Sequence, residues 1–160
     1  MTIPNSLLSL RRTLLRTTTQ LAWLAPLLAR VAVGLVFLTT GWGKLQHLDA
    51  VGQFFASLGL PAPGFMAALT AVTELVGGAL LLVGLASRLA ALALTVVMTV
   101  AIVTAKLASV DGVVSLVGLE EFTYIVVFVW IAVAGPGAAS LDQVVGRSLD
   151  KAQQTTGGDR

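Results

Sequence analysis

Residues 64–86 read GFMAALTAVTELVGGALLLVGLA, and this stretch decides the fold class. It contains a single charged residue, Glu74, among otherwise apolar or small residues. A helix needs about 20 mainly apolar residues to cross the ~30 Å hydrocarbon core of a bilayer. The stretch therefore predicts a transmembrane helix that carries one charge inside it.

The composition of the whole chain supports a membrane protein. Of its 160 residues, 56% are hydrophobic and 11% are charged, and the mean hydropathy is +0.91. Soluble domains contain about 25% charged residues. So few charges could not cover so apolar a core in water, and we expect the chain to lie in the lipid bilayer.

Three further apolar segments predict an all-α, integral membrane four-helix bundle. The expected membrane domain covers residues 23–136, with spans at about 23–43, 64–86, 88–106 and 119–135. We expect residues 1–22 to form a basic cytoplasmic segment that is retained rather than cleaved as a signal peptide. We expect residues 137–160 to form a polar cytoplasmic tail with a disordered end.

The first outer loop contains VGQFFASLGL at residues 51–60. Its apolar residues Val51, Phe54, Phe55 and Leu58 recur at helical spacing. This pattern predicts a short amphipathic helix lying at the membrane surface.

The distribution of lysine and arginine predicts the orientation, because cytoplasmic loops are enriched in both residues. Arg30 is not counted, since it lies inside a span, and Lys44 and Lys106 fall on the side opposite the termini. The side of the termini holds Arg11, Arg12, Arg16, Arg88, Arg147, Lys151 and Arg160. We therefore predict a multi-pass protein of the prokaryotic cytoplasmic (inner) membrane, with both termini in the cytoplasm.

Two charges are expected deep in the membrane. At about 1.5 Å per residue, Arg30 lies about 10 Å inside the first span and Glu74 about 15 Å inside the second. A charge in hydrocarbon costs at least about 2.5–3.5 kcal/mol and needs a partner or a water path. The similar depths predict a buried Arg30–Glu74 ion pair, and a structural role for it is favoured over a catalytic one.

A second group of polar residues is expected at the outer mouth of the bundle, with Asp111 in the loop nearby. We predict that this group binds a ligand or a partner; its members are Lys44, His47, Lys106, Glu120, Glu121 and Tyr124. The alternatives are that the lysines are snorkelling anchors, that His47 is a surface residue, and that the glutamates only favour a helix start. Gly41 and Gly43 would let the end of the first span pack tightly.

The residue types limit the chemistry. The chain has no cysteine and one histidine, which argues against a redox centre, a thiolate metal site or a bis-histidine haem within it. No metal or cofactor is predicted within the chain, although a quinone could be bound. The small net charge of +2 argues against nucleic-acid binding.

A succession of motifs resembles the DoxX family of small membrane proteins. LARVAVGLVFLTTGWGKL (28–45) and FFASLGLPAP (54–63) resemble the first span and the loop that follows it. TELVGGALLLVGLASRLAAL (73–92), the Glu121-Phe122 step and GPGAASLD (135–142) resemble later segments. The resemblance implies a four-helix membrane bundle, and its family-type positions are Arg30, Gly41, Gly43, Lys44, Glu74, Arg88 and Glu121.

The resemblance implies function only loosely, through a subunit linked to a thiosulfate:quinone oxidoreductase and through redox-stress complexes. We predict a non-catalytic accessory subunit of a membrane oxidoreductase system that binds a quinone or small ligand, or docks a redox-enzyme subunit. One alternative is a transporter of a small anion or solute, working as a homo-oligomer. The other is a structural or assembly subunit of the membrane.

Overall fold

The computed structural model describes residues 21–148, and every regular element in this range is helical. Four long helices form a bundle: α1 (Leu24–Gln46), α3 (Pro63–Val83), α4 (Ser87–Ala101) and α6 (Glu120–Ala134). Shorter elements connect or extend them: α2 (Leu48–Ser57), a π-helical turn (Ile102–Lys106), a 3-10 turn (Leu107–Ser109), α5 (Val113–Val117) and α7, which runs from residue 141 to the end of the described range.

Within residues 21–148, three helical segments are long and apolar enough to cross a membrane, namely Leu24–Gln46, Pro63–Val83 and Ser87–Ser109. Helix α6 has 15 residues. At about 1.5 Å per residue such a helix covers about 22 Å, less than the ~30 Å hydrocarbon core. The predicted all-α membrane fold is confirmed, whereas the fourth crossing stays a prediction.

The helices pack as two antiparallel pairs, α1 against α3 and α4 against α6, and the turn between α3 and α4 joins the pairs. Aromatic rings connect α1 to α6, because Phe37 meets Tyr124 and Phe128 edge-on, with ring centroids 5.2 and 5.0 Å apart. Leu81 of α3 and Leu94 of α4 are fully buried beside them. Van der Waals packing of this kind holds helices together in lipid, where the hydrophobic effect between them is weak.

Glycines bring the backbones of α1 and α3 into contact. A Cβ atom added at Gly41 would lie 2.8 Å from Leu75 Cα, and one added at Gly78 would lie 2.8 Å from the carbonyl oxygen of Gly34. Small residues allow such approach between membrane helices. The tight packing expected at Gly41 is present, but a Cβ at Gly43 would meet no atom of the described chain within 4 Å.

The turn between α3 and α4 is held by a residue from the far end of the chain. Gly84 ends α3 at a φ of +71°, and Leu85 N–H donates to Leu80 O as in a Schellman motif. The carboxylate of Asp142 then accepts from Ala86 N at 2.6 Å and from Ser87 N at 3.0 Å. Asp142 thus caps the start of α4 and joins the segment after α6 to the bundle.

Several elements begin or end at residues other than those predicted from the sequence. The amphipathic helix is confirmed as α2, but α1 continues past the predicted end of its span to Gln46. The segment between the 3-10 turn and α6 contains α5, and the first part of the predicted polar tail forms α7. Residues 1–20 and 149–160, which include most of the predicted basic segment and the predicted disordered end, lie outside the described range.

Candidate functional site

A cavity of about 930 Å³ lies between α2, α3, α4 and the first turn of α6. Pockets for small molecules and cofactors measure roughly 300–1,000 Å³. The walls are mostly apolar, with Phe54 and Phe55 from α2, Leu69 from α3, and Val96 and Val100 from α4. The predicted surface helix is therefore one wall of a pocket, which we call the α2 pocket.

Lys44 and Glu74 form the first charged pair in the α2 pocket. Lys44 Nζ lies 2.5 Å from Glu74 Oε1, and the side-chain exposures are 32% and 1%. Lys44 is in the last turn of α1, where a helix dipole favours a cation. The backbone contact at Gly41, one turn earlier, brings this end of α1 within reach of Glu74.

Lys106 and Glu121 form a second, looser pair on the lining. Their Nζ and Oε1 atoms are 3.8 Å apart, and both side chains are partly exposed. Lys106 ends the π-helical turn, and Glu121 stands in the first turn of α6, where the helix dipole favours an anion. π-Helical turns are rare and often occur at functional sites. The π-helical turn that follows α4 contributes Lys106 to the lining of the α2 pocket, which is consistent with a functional site there.

The lining suits a small molecule with an apolar body and an oxygen-bearing head. Each lysine can donate hydrogen bonds, and each carboxylate can accept them. Thr70, Thr73 and Thr104 add hydroxyl groups to the lining. Within residues 21–148, no three histidine, aspartate or glutamate side chains gather in a way that could hold a metal ion.

Comparison with known sequences places the chain in a family. A sequence model of the DoxX family matches residues 25–107, which is more than half of the chain. The chain belongs to the DoxX family. No solved structure matches it significantly.

Curated relatives cover most of this DoxX chain. It is 36% identical to "Putative oxidoreductase CatD" of Bacillus subtilis, over 74% of the chain and 85% of that protein. It is 32% identical to "Inner membrane protein YqjF" of Escherichia coli, over 76% and 92%. It is 36% identical to "Uncharacterized membrane protein Rv3486" of Mycobacterium tuberculosis, over 71% and 77%. The chain is therefore a membrane protein of the DoxX family.

The residues that were predicted to form one group at the outer mouth of the bundle do not all lie together in the structure. Lys44, Lys106 and Glu121 line the α2 pocket, whereas His47 and Glu120 are exposed and are not part of the lining. Tyr124 packs its ring against Phe37 in the bundle. Asp111 is exposed, and Arg88 is exposed near Gly135, at the opposite end of α4 from Lys106.

The predicted ion pair between Arg30 and Glu74 is wrong. Arg30 is buried, but its Nη2 donates to the carbonyl oxygen of Ala139 at 2.5 Å, and its guanidinium lies against Gly84. The antiparallel register explains the difference, since Gly34 opposite Gly78 puts Arg30 near the end of α3. Glu74 then lies opposite the other end of α1, beside Lys44.

The sequence contains a second possible partner for Glu74, Lys44. Arg30 and Lys44 lie on the same face of the first helix, so this face presents two cations that could pair with Glu74. The estimated depths favour Arg30, because the predicted first span ends at about residue 43 and leaves Lys44 outside the membrane. No sequence signal indicated that α2 would close a pocket over Glu74, or that Asp142 would cap α4.

Proposed function

We propose that this DoxX protein binds a quinone in the α2 pocket and serves as an accessory subunit of a membrane oxidoreductase system. The observation that supports this most is the pocket itself, which combines apolar walls with the Lys44–Glu74 pair. A quinone has the same two parts, an apolar ring and tail and polar oxygens. The lysine ammonium supplies a donor for a quinone oxygen.

The position of the pocket fits a lipid-soluble ligand. Leu69, Val96 and Val100 belong to its lining and are also 49%, 63% and 45% exposed on membrane helices. Exposed apolar side chains on these helices face lipid. A quinone tail could therefore leave the pocket between α3 and α4 without crossing water.

The residue types favour an accessory role over a complete enzyme. The chain has no cysteine, and its one histidine, His47, lies outside the pocket. Electrons for a bound quinone would then come from a partner subunit with its own cofactor. The name of the Bacillus subtilis relative, "Putative oxidoreductase CatD", agrees with a role in an oxidoreductase system.

We also propose a location and an orientation for the protein in the cell. The Escherichia coli relative is named an inner membrane protein, and the distribution of lysine and arginine favours an orientation with both termini in the cytoplasm. Lys44, Lys106 and the α2 pocket would then lie toward the outer side of the cytoplasmic membrane.

The test begins with protein purified in mild detergent. Native mass spectrometry and solvent extraction would identify co-purified quinone and subunits, and decylubiquinone and a short-chain menaquinone would be titrated by calorimetry. Saturable binding at one site per chain supports the proposal. Failure to bind either quinone overturns it, and solute flux in proteoliposomes without quinone binding would favour the transport alternative.

A further inference from the structure

One oxygen of Glu74 is buried without a hydrogen-bond donor. Its Oε1 accepts from Lys44, but no donor among the described residues reaches Oε2, although the residue is 1% exposed. Leaving a buried charged acceptor unsatisfied is unfavourable. Since Glu74 belongs to the lining of the α2 pocket, the missing donor is one that a ligand can supply.

Lys44 offers the complementary group beside this oxygen. An ammonium has three N–H donors, and the structure gives Lys44 one acceptor, Oε1 of Glu74, among the described residues. The same point of the pocket therefore presents a charged acceptor and a charged donor. A hydroxyl group matches both, because its hydrogen can be donated to Oε2 while its oxygen accepts from Nζ.

We infer that the α2 pocket prefers the hydroxyl-bearing, reduced form of its ligand, a quinol, over the carbonyl-bearing quinone. The inference rests on the proposed quinone site and adds its redox preference. Both forms can accept from Lys44. Only the quinol can donate to Glu74 Oε2, whereas a quinone carbonyl would set a second acceptor against that oxygen.

The preference has a measurable size. Hydrogen bonds to charged groups are the stronger ones, and one such bond in the quinol complex alone corresponds to about tenfold tighter binding or more. Tighter binding of the reduced form raises the midpoint potential of the bound couple. For a two-electron couple, a tenfold ratio of dissociation constants raises it by about 30 mV.

The experiment compares decylubiquinone and chemically reduced decylubiquinol on the wild-type protein under anaerobic conditions. We expect the quinol to have a dissociation constant about tenfold or more below that of the quinone. Equal affinity, or tighter binding of the quinone, overturns the inference and leaves the proposed quinone site intact. Failure of both forms to bind removes the proposed function and the inference with it.

A substitution at Glu74 tests whether this residue is responsible for the preference for the quinol. The amide of Glu74→Gln can donate to a carbonyl, so we expect the quinol preference to disappear or reverse. Glu120→Gln is the matched control, since Glu120 is an exposed carboxylate outside the pocket, and it should keep the wild-type ratio. A preference that persists in folded Glu74→Gln also overturns the assignment. If that variant does not fold, the wild-type ratio still decides the preference.

Discussion

Lys44 Nζ lies 2.5 Å from Glu74 Oε1, and this contact joins the last turn of α1 to the middle of α3. The two partners differ in their access to solvent, with side-chain exposures of 32% for Lys44 and 1% for Glu74. The lysine can reach polar surroundings by itself, whereas the carboxylate depends on the lysine. The pair is therefore asymmetric, and its two halves should respond differently to substitution.

Removing the lysine should cost more stability than neutralising the glutamate. Lys44→Met leaves a buried carboxylate without its counter-charge, which costs about 3–5 kcal/mol. Glu74→Gln removes the buried charge and leaves a partly exposed lysine, so we expect a loss of about 1–3 kcal/mol. Unfolding by SDS in mixed micelles measures both losses.

The double variant Lys44→Met/Glu74→Gln provides the control for this prediction. It contains no unpaired buried charge, so it should be more stable than Lys44→Met alone. If the double variant is the less stable of the two, Lys44 contributes through its packing and not through its charge.

Two glycines in the same helix turn should behave oppositely. Gly41→Ala would force a Cβ against Leu75 Cα at 2.8 Å, and overpacking of this kind costs about 1–3 kcal/mol. Gly43→Ala adds a methyl group where the described chain leaves room, and alanine favours a helix over glycine by about 0.5–1 kcal/mol. Thermal unfolding in detergent should show a lower Tm for the first variant and an unchanged or higher Tm for the second.

The sequence was enough to predict the four long helices and the burial of Arg30 and Glu74. Hydropathy and helical spacing depend on local order along the chain, and both charges are 1% exposed as expected. Apolar residues at helical spacing likewise predicted α2. These features need no knowledge of how one helix is shifted against another.

The partners of the buried charges could not be predicted in the same way. The partner of Glu74 depends on the register of α1 against α3, and a shift of a few turns exchanges Arg30 for Lys44. The carboxylate of Asp142 caps a turn 55 residues away in the chain, which no local pattern indicates. The α2 pocket depends on how α2 packs against α3, and this contact is also a long-range property of the chain.

Asp142 should stabilise the turn between α3 and α4 from a distance. Asp142→Ala leaves the N–H groups of Ala86 and Ser87 without their acceptors. Loss of a helix cap typically costs about 1 kcal/mol, and up to about 2. We expect a lower Tm and faster proteolysis within the turn.

Asp111→Ala is the matched control for this prediction. Asp111 is an exposed acidic loop residue whose side chain makes no hydrogen bond within the described chain, so its Tm should stay at the wild-type value. Equal losses in both variants would mean that net charge, and not the cap, determines the effect.

The second pocket pair should affect ligand binding without affecting stability. Lys106 and Glu121 are 3.8 Å apart, with side-chain exposures of 47% and 20%, and exposed ion pairs contribute about 0–1 kcal/mol. Lys106→Gln should therefore unfold like the wild type and bind decylubiquinone about three- to tenfold more weakly, because it removes one charged donor. Arg88→Gln, at the far end of α4, should leave both properties unchanged. Wild-type affinity in Lys106→Gln would exclude Lys106 from the binding site.

The orientation of the protein can be tested with single cysteines, because the natural chain has none. Val114 in α5 is 89% exposed at the end of the bundle that holds the α2 pocket, and Gln143 in α7 is exposed at the other end. With both termini in the cytoplasm, a membrane-impermeant maleimide should label Val114→Cys in intact spheroplasts and Gln143→Cys only after lysis. The reverse pattern would turn the pocket toward the cytoplasm. The lysine and arginine distribution would then have failed as a guide, and a partner subunit would have to be sought on the cytoplasmic side.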